Sequence, residues 1–566
     1  MYIDAVPNRG SPPAILLRES LRQGARVLKR TLANLSAWPP AKVEALRRLL
    51  RNEPLLAPEQ AFQIERSLPH GHVEAVLGMV RRLGLPELLA RKRSRQRDLV
   101  LAMLVERVLA PCSKLATTRH WHTSTLAEEL HVQDADEDEL CEALDWLLAR
   151  QPAIERSLAA RHLRPGALVL YDVSSSYYYG RHCPLAQHGH DRDGKKGLPI
   201  ITYGVLADSV GRPVAAQVFP GNTGDPATVS AQAEKLRTAF GLERVVLAGE
   251  RGMLTETQIE KLRQHPELGW ISALRGPAVR ELVTQGALSR SLLDEVNLAE
   301  IRSPEYPGER LIACFNPLLC DERRRTREEL LAATERGLAK LAAAVARRTR
   351  TPMTASEIGL RAGKIVNRYR VQKHFELQIA GGTFAFARHA ASIEAEAQLD
   401  GIYVIRTSEP PERLSPADAV RGYKSLAHVE RLFRCLKSVD LRVRPVYHRT
   451  AAHVRAHIFL CVLAAYVEWH LREALAPLLF EDEQVAALRR TRDPVAPAQP
   501  SAAARRKRAT GRTSDGFRAH SLRTLLDELA TRCRNTCRVP DQPQARFVLL
   551  TRPTPLQARA LQLLQL

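Results

Sequence analysis

Three acidic side chains, far apart in the sequence, stand where a carboxylate is costly unless it has a use. Asp172 lies inside the apolar run "LYDVSS", and a charge within a buried strand must be paired or employed. Glu250 closes "RVVLAGERGML", Arg244 to Leu254. That Val- and Leu-rich run reads as a buried strand, and it ends by setting a carboxylate beside Arg251. Glu430 lies in "YKSLAHVERLFRCLK", where Tyr423, Glu430 and Lys437 recur every seven residues. Seven residues is close to two helical turns, so the three share one stripe with about 10 Å between neighbours. Leu426, Val429, Phe433 and Leu436 form the apolar face beside it. If the three acids converge, divalent cations relieve their repulsion. Oxygen ligands of this kind suit Mg²⁺, with Mn²⁺ as a substitute. Two such ions about 4 Å apart serve an in-line displacement at phosphorus, activating a water or 3′-OH and stabilising the leaving oxygen.

The elements that must position these acids are legible from Gly166 onward. "ALVLYDVSSSYY", "LPIITYGVLAD" and "RPVAAQVFPG" read as strands. "DPATVSAQAEKLRTAFG" reads as a helix that Asp225 and Pro226 start. The Glu250 strand, the helix "LTETQIEKLRQH" and the strand "GWISAL" follow. This βββαβαβ order predicts an α/β fold, a mixed sheet flanked by helices. In it the first and fourth strands can be neighbours, with Asp172 and Glu250 facing each other. Residues 276–414 then digress through the strand "RLIACFN", the long amphipathic helix "DERRRTREELLAATERGLAKLAAAVARR", and strand-like "YRVQKHFELQI", "FAFARH" and "DGIYVIRTS". The run "AHIFLCVLAAYVEW" is interrupted by His457 and Glu468 and is shorter than the roughly 20 apolar residues of a membrane span. It reads as a core helix. Residues 1–40 read as short strands and 41–160 as mostly helical, with a basic patch, Arg91 to Arg97, available for a DNA backbone. The Pro/Ala/Arg-rich stretch 485–520, which contains "RRKR", is expected to be disordered, and a short helical pair to close the chain. No internal repeat is visible.

The 566 residues carry 84 Lys+Arg against 62 Asp+Glu, a net charge of +22. A field of that size favours a polyanion partner, above all nucleic acid. The opening "MYIDAVPNRGSPP" has no apolar signal core, so a cytoplasmic protein is expected. The nine cysteines lack framework spacing and read as reduced thiols. His182, Cys183, His188 and His190 lack the paired spacing of a zinc site. "GHDRDGKK", Gly189 to Lys196, nearly spells a phosphate loop, but Lys196 replaces the Ser/Thr that reaches Mg²⁺, and a strand follows where a helix should. Asp191, Asp193, Asp225 and Asp400 are alternative acids, with Asp225 reading as a helix cap.

Over roughly residues 160–475, and more weakly over the first 40, the chain resembles bacterial insertion-sequence transposases of the DDE type, in the branch with a YREK signature. The resemblance is carried by "YDVSSSYYYG", "PGNTGDPATV", "LAGERGML" and "DGIYVIRTS…YKSLAHVERLFRCLK…RPVYHRTAAHVRAHIFL". It implies a ribonuclease-H-like catalytic core (161–275 and 415–480) and a β-rich insertion with a long helix (276–414). Around these it implies an N-terminal DNA-binding region (1–160) and a basic, partly disordered tail (481–566). It implies Mg²⁺-dependent cleavage at element ends followed by strand transfer. The implied partners are double-stranded DNA, as terminal inverted repeats and target, and a second copy of the chain. The implied catalytic and metal-holding residues are Asp172, Glu250 and Glu430. The implied DNA contacts are Tyr423, Lys437, Arg251, Lys424, Arg431 and Arg434. Two positions depart from the pattern. Leu426 stands at the Arg of the signature, with Lys424 or Arg431 as the substitutes at hand. Glu250 stands where the family has Asp. Its extra methylene shifts the carboxylate by about 1 Å, a displacement that can cost on the order of 100-fold in rate. The expectation is a preserved core with weakened or lost catalysis. The alternatives are a non-catalytic DNA-binding descendant of a transposase and a structure-specific nuclease.

Overall fold

The computed structural model describes residues 1–24, 26–53, 62–195, 197–265, 267–293, 297–539 and 542–566. Lys196, the position that breaks the phosphate-loop pattern, lies outside them. The chain forms two compact units. One joins Met1–His70 to Arg532–Arg552, and the other comprises Gly71–Thr531 with Pro553–Leu566. These divisions differ from the four regions expected, since composition cannot reveal that a C-terminal segment pairs with the strand Gln63–Pro69.

In the smaller unit, β1 (Tyr2–Asn8), β2 (Ser11–Gln23) and β3 (Arg26–Asn34) make an antiparallel meander. β4 (Gln63–Pro69) belongs to a second three-stranded sheet.

The larger unit is built on an eight-stranded sheet. Its first strands are β5 (Ala167–Tyr177), β6 (Ile200–Asp208), β7 (Pro213–Pro220), β8 (Val245–Ala248) and β9 (Leu268–Ala273). They lie in the spatial order β9-β8-β5-β6-β7. β5 pairs antiparallel with β6 and β6 with β7, while β5–β8 and β8–β9 are parallel. Three meandering strands followed by two helix-linked parallel ones make the ribonuclease-H-like arrangement. β6 is buried along its whole length, so both of its faces are covered and there is no alternation to read.

The segment 276–414 does not stand apart. Its strands β10 (Leu298–Ile301), β11 (Arg310–Phe315) and β14 (Ile402–Thr407) extend the same sheet beyond β9. β12 (Phe375–Ala380) and β13 (Thr383–Arg388) instead form a hairpin. That hairpin shares a separate apolar cluster with the helices Pro317–Arg347 and Ala355–Arg368. The helix Ala451–Leu475 runs through the main core against β7 and the helices Arg95–Leu109 and Glu137–His162. The stretch Ala451–Leu478 is long and apolar enough to cross a membrane, yet 78% of its apolar window is buried in the protein.

Two expectations are corrected. The stretch 485–520 contains the helices Val485–Thr491 and Ala502–Thr510. One of its cations points inward while Arg505, Arg506 and Arg508 are exposed: Lys507 of "RRKR" is buried, and its ammonium donates to the carbonyls of Ala476, Leu479 and Glu481 and to the Glu483 carboxylate. The chain does not close on a helical pair. In chain order, two strands, β15 (Cys533–Val539) and β16 (Gln542–Leu550), come between the helices Leu522–Ala530 and Pro555–Leu564. β15 pairs with β4 in the smaller unit. In the patch Arg91–Arg97, Arg91, Lys92 and Arg93 are exposed, and three of its cations have partners within the protein. Arg93 pairs with Asp98, Arg95 with Glu139 and Asp134, and Arg97 donates to the Ala90 carbonyl. All nine cysteines are free.

Candidate active site

β5 and β8 run parallel in a register that sets Leu170 opposite Ala248. Continued two residues further, that register brings Asp172 level with Glu250 at the carboxyl edge of the sheet, on strands about 4.8 Å apart. β5 goes on past this point, with Asp172 opposite Val205 of β6. β8 stops at Ala248, although the Gly249 N–H still bonds the Ile271 carbonyl of β9. Glu250 therefore sits on the turn that leaves the strand, where its carbonyl accepts the Met253 N–H at 3.0 Å. An acid at the mouth of a buried strand thus meets another acid on the neighbouring strand. Carboxyl edges of this kind are where open α/β sheets bind ligands.

Glu430 arrives on a helix laid over β5. Ser415 caps its first part by accepting the Asp418 N–H, and Pro416 follows at the first helical position. The segment is not the regular helix that the seven-residue spacing suggests. It consists of Pro416–Lys424 and Leu426–Arg434, which meet at Ser425, and then a wide π turn, Cys435–Val439. At the junction the Arg421 carbonyl takes three donors: the Ser425 N–H (3.1 Å), the Ser425 hydroxyl (2.8 Å) and Arg489 (2.8 Å). A hydroxyl that bonds back to the preceding turn, joined by an inserted guanidinium, bends a helix. Tyr423, Glu430 and Lys437 are consequently not on one straight stripe.

The electrostatics link the acids in series. The Asp172 carboxyl is pushed up to about 7, first by burial and then by the charge of Glu250; the Val173 N–H (2.7 Å) and Arg192 pull it back. Glu250 is also raised, first by burial and next by the charge of Glu430. Burial raises the Tyr423 phenol, and Glu250 and Glu430 raise it further. Among the described residues none of the three carboxylates has an ion-pair partner. A shared repulsion without a compensating cation is the environment a divalent ion relieves. Beside it an open pocket of about 450 Å³ is lined by Glu250, Arg251, Gly252, Arg275 and Gly276. The donors are oxygens that suit Mg²⁺ or Mn²⁺.

Two more residues belong to this neighbourhood: Asp225, weighed in the sequence only as an alternative acid and read as a cap, and Arg192, which sequence reasoning missed. Asp225 is not the cap of its helix; Gly224 holds that position, and Asp225 is the first helical residue. Its charge adds to the repulsion on both Asp172 and Glu250. Arg192 grips the Asp225 carboxylate, with 2.5 Å to Oδ2, and is the cation that lowers both of the other acids. The signal available was the motif "PGNTGDPATV", whose Asp was set aside as a cap. The other alternative acids are paired elsewhere or turned into loops. Asp193 pairs with Lys437 and Arg444, Asp400 with Arg327, and Asp191 accepts the Asp193 N–H.

The expected DNA contacts divide into inward and outward groups. Lys424 donates to the carbonyls of Pro494 and Val495, both at 2.7 Å. Lys437 is held by Asp193 at 3.1 Å, and burial lowers its pKa. Tyr423 is half-buried. Arg251, Arg431 and Arg434 are exposed, with Arg431 paired to Glu481.

Among the described residues, the three ligand atoms gathered within 4.8 Å of one another belong to Cys435, Asp440 and Glu468. That cluster already holds a cation. Arg472 donates to Glu468 at 2.8 Å and to Asp440 at 2.9 Å, and the Cys435 thiol donates to Glu468 at 2.8 Å.

The sheet and the acids at its carboxyl edge define a ribonuclease-H-like protein with a candidate phosphoryl-transfer site. Residues 181–467, just over half of the chain, match the transposase DDE domain family, and the chain belongs to that family. The matched span contains Glu250 and Glu430 and begins after Asp172. No curated protein matches the chain. Among solved structures it is similar to one described as a cryo-EM structure of piggyBac transposase synaptic complex with hairpin DNA. The identity is 12% over 71% of this chain and 72% of that chain, with a TM-score of 0.32. A likeness that distant decides nothing about this chain.

Proposed function

We propose that this transposase cleaves phosphodiester bonds at the ends of a bacterial insertion sequence of the YREK branch and joins the freed 3′-OH to target DNA. Asp172, Glu250 and Glu430 are the residues that would hold Mg²⁺ or Mn²⁺. The observation that carries the reading is the level placement of Asp172 and Glu250, joined through charge to Glu430. When bound, the ions would supply the acidity that activates the attacking oxygen and the charge that stabilises the leaving one. The chain's own residues set the stage. Asp172 is fixed by its strand and by the Val173 N–H, and Glu250 sits on the turn after β8. Glu430 is presented by the bent helix. Arg192 offsets the acids' charge, and the exposed Arg251, Arg431 and Arg434 guide the DNA backbone inward, helped by the chain's +22 charge. The DNA would be double-stranded terminal repeats and target, brought together by two copies of the chain at the nucleoid.

Glu250, longer by a methylene than the Asp of the family pattern, weakens the reaction. End-cleavage and strand-transfer assays in Mg²⁺ or Mn²⁺ test this. Glu250→Asp is expected to raise the rate by up to about 100-fold. Asp172→Asn and Glu430→Gln are expected to abolish products while DNA binding persists. Wild-type activity equal to that of Glu250→Asp contradicts the impairment. Glu250 also favours a second reading, a non-catalytic DNA-binding descendant, which predicts no cleavage by either form. Cleavage without joining would identify a nuclease.

A further inference from the structure

β5 does not end at the acid. It continues to three consecutive tyrosines, Tyr177, Tyr178 and Tyr179, and alternation along an extended chain sends the middle one away from its neighbours. Tyr178 is 2% exposed, and its hydroxyl donates to the His448 carbonyl at 3.1 Å. The residue after the three tyrosines is glycine, and a Cβ on Gly180 would come 2.1 Å from the Tyr178 hydroxyl. Tyr178 also bridges to Val446, and the Tyr179 N–H bonds the Val446 carbonyl at 3.1 Å. The strand end is thus fastened to the segment after the Glu430 helix.

This fastening produces an aromatic surface outside the core. Tyr179 and Tyr447 are 43% and 59% exposed. Their rings stack at 5.9 Å and 20°, and Tyr177 meets Tyr179 edge-on at 5.1 Å. Cations cover the inner ring: Lys195 lies 5.0 Å and Arg444 5.3 Å from the centre of Tyr177. Arg444 is itself held by Asp193, the acid that also holds Lys437. Exposed aromatic rings are costly to hydrate. Flat rings flanked by cations have the chemistry that receives an unpaired nucleotide, with the base on the ring and the phosphate on the cation. Five residues of strand separate Tyr177 from Asp172, about 17 Å at 3.3 Å each, roughly half a turn of duplex DNA.

We propose that Tyr179 and Tyr447 form a stacking platform for an unpaired base of the DNA substrate. The inference rests on the DNA reading above and assigns a subsite to it. The test uses the full chain in EDTA, so that binding is read without cleavage. Fluorescence anisotropy compares a blunt duplex with the same duplex bearing a single-stranded 3′ overhang. Wild type is expected to prefer the overhang. The double variant Tyr179→Ala with Tyr447→Ala is expected to lose that preference, by about 5- to 150-fold per stacked base, with blunt-duplex affinity unchanged. Tyr179→Phe with Tyr447→Phe keeps the rings and is expected to keep the preference. Equal binding of the two duplexes by wild type, or a preference that survives both alanines, overturns the platform and leaves the DNA reading intact. Failure to bind either duplex overturns both.

Discussion

A carboxylate at the end of a buried strand is tolerated when a neighbour makes use of its charge, and the residues around β5 divide on that criterion. The charge of Glu250 bears on Asp172, and among the described residues neither has a compensating ion pair. Asp193, 5% exposed, satisfies two half-buried cations, Lys437 at 3.1 Å and Arg444 at 2.5 Å. Replacing Asp193 by Asn leaves both cations facing a neutral partner. We expect a loss of about 3 kcal/mol of stability, read from the midpoint of urea unfolding, and an unchanged midpoint would contradict this. These two kinds of acid were not equally legible. Asp172 and Glu250 stand out because each interrupts an apolar run. The roles of Arg192, Asp193 and Asp225 depend on partners tens to hundreds of positions away, and no local pattern encodes such pairs.

Among the elements, the helix carrying Glu430 departs most from its pattern. Its apolar spacing is regular, and the residues that bend it announce themselves weakly: a serine that bonds back one turn, and an arginine that arrives from position 489. The strands β5 to β9 were legible because their apolar runs, turns and intervening helices agree. The placement of β10, β11 and β14 was not, since a strand's pattern states that it is a strand and not which sheet it joins. The stretch around "RRKR" misleads in a different way. Its composition matches disorder, but a lysine can terminate a helix by satisfying several carbonyls at once. Lys507, with a side chain 6% exposed, does this for Ala476, Leu479 and Glu481. Lys507→Met should therefore cost about 3 kcal/mol through orphaned carbonyls and an unpaired Glu483. Denaturant unfolding of the full chain measures it, and a loss below about 0.5 kcal/mol, the range of an ordinary surface substitution, would contradict the buried role.

For the molecule as a whole, histidines buried on and around the core helix Ala451–Leu475 contribute to the response to acid. Burial lowers His470 and its neighbour His162 to about 4 and His448 to about 3, and holds His457 well below its ordinary value of 6.5. Above pH 6.5 these groups are neutral whether the chain is folded or not, so they leave stability flat. Between about 6.5 and about 4 the unfolded chain takes up protons that the native protein refuses, and stability falls as pH drops through that window. Melting temperatures at stepped pH should show the decline, and His470→Gln, which cannot protonate, should make it shallower; a flat profile contradicts the assignment. The surplus of cations predicts that DNA affinity falls steeply with added salt. Both properties belong to the scaffold, and neither tests the chemistry, which depends on whether Asp172, Glu250 and Glu430 share a cation. The most direct measurement is the anomalous scattering of crystals of the full chain soaked in Mn²⁺. Density is expected about 2.1 Å from carboxylate oxygens of Asp172 and Glu250, with Glu430 completing the shell. Density only at Cys435, Asp440 and Glu468, or the three acids left without an ion, would contradict it.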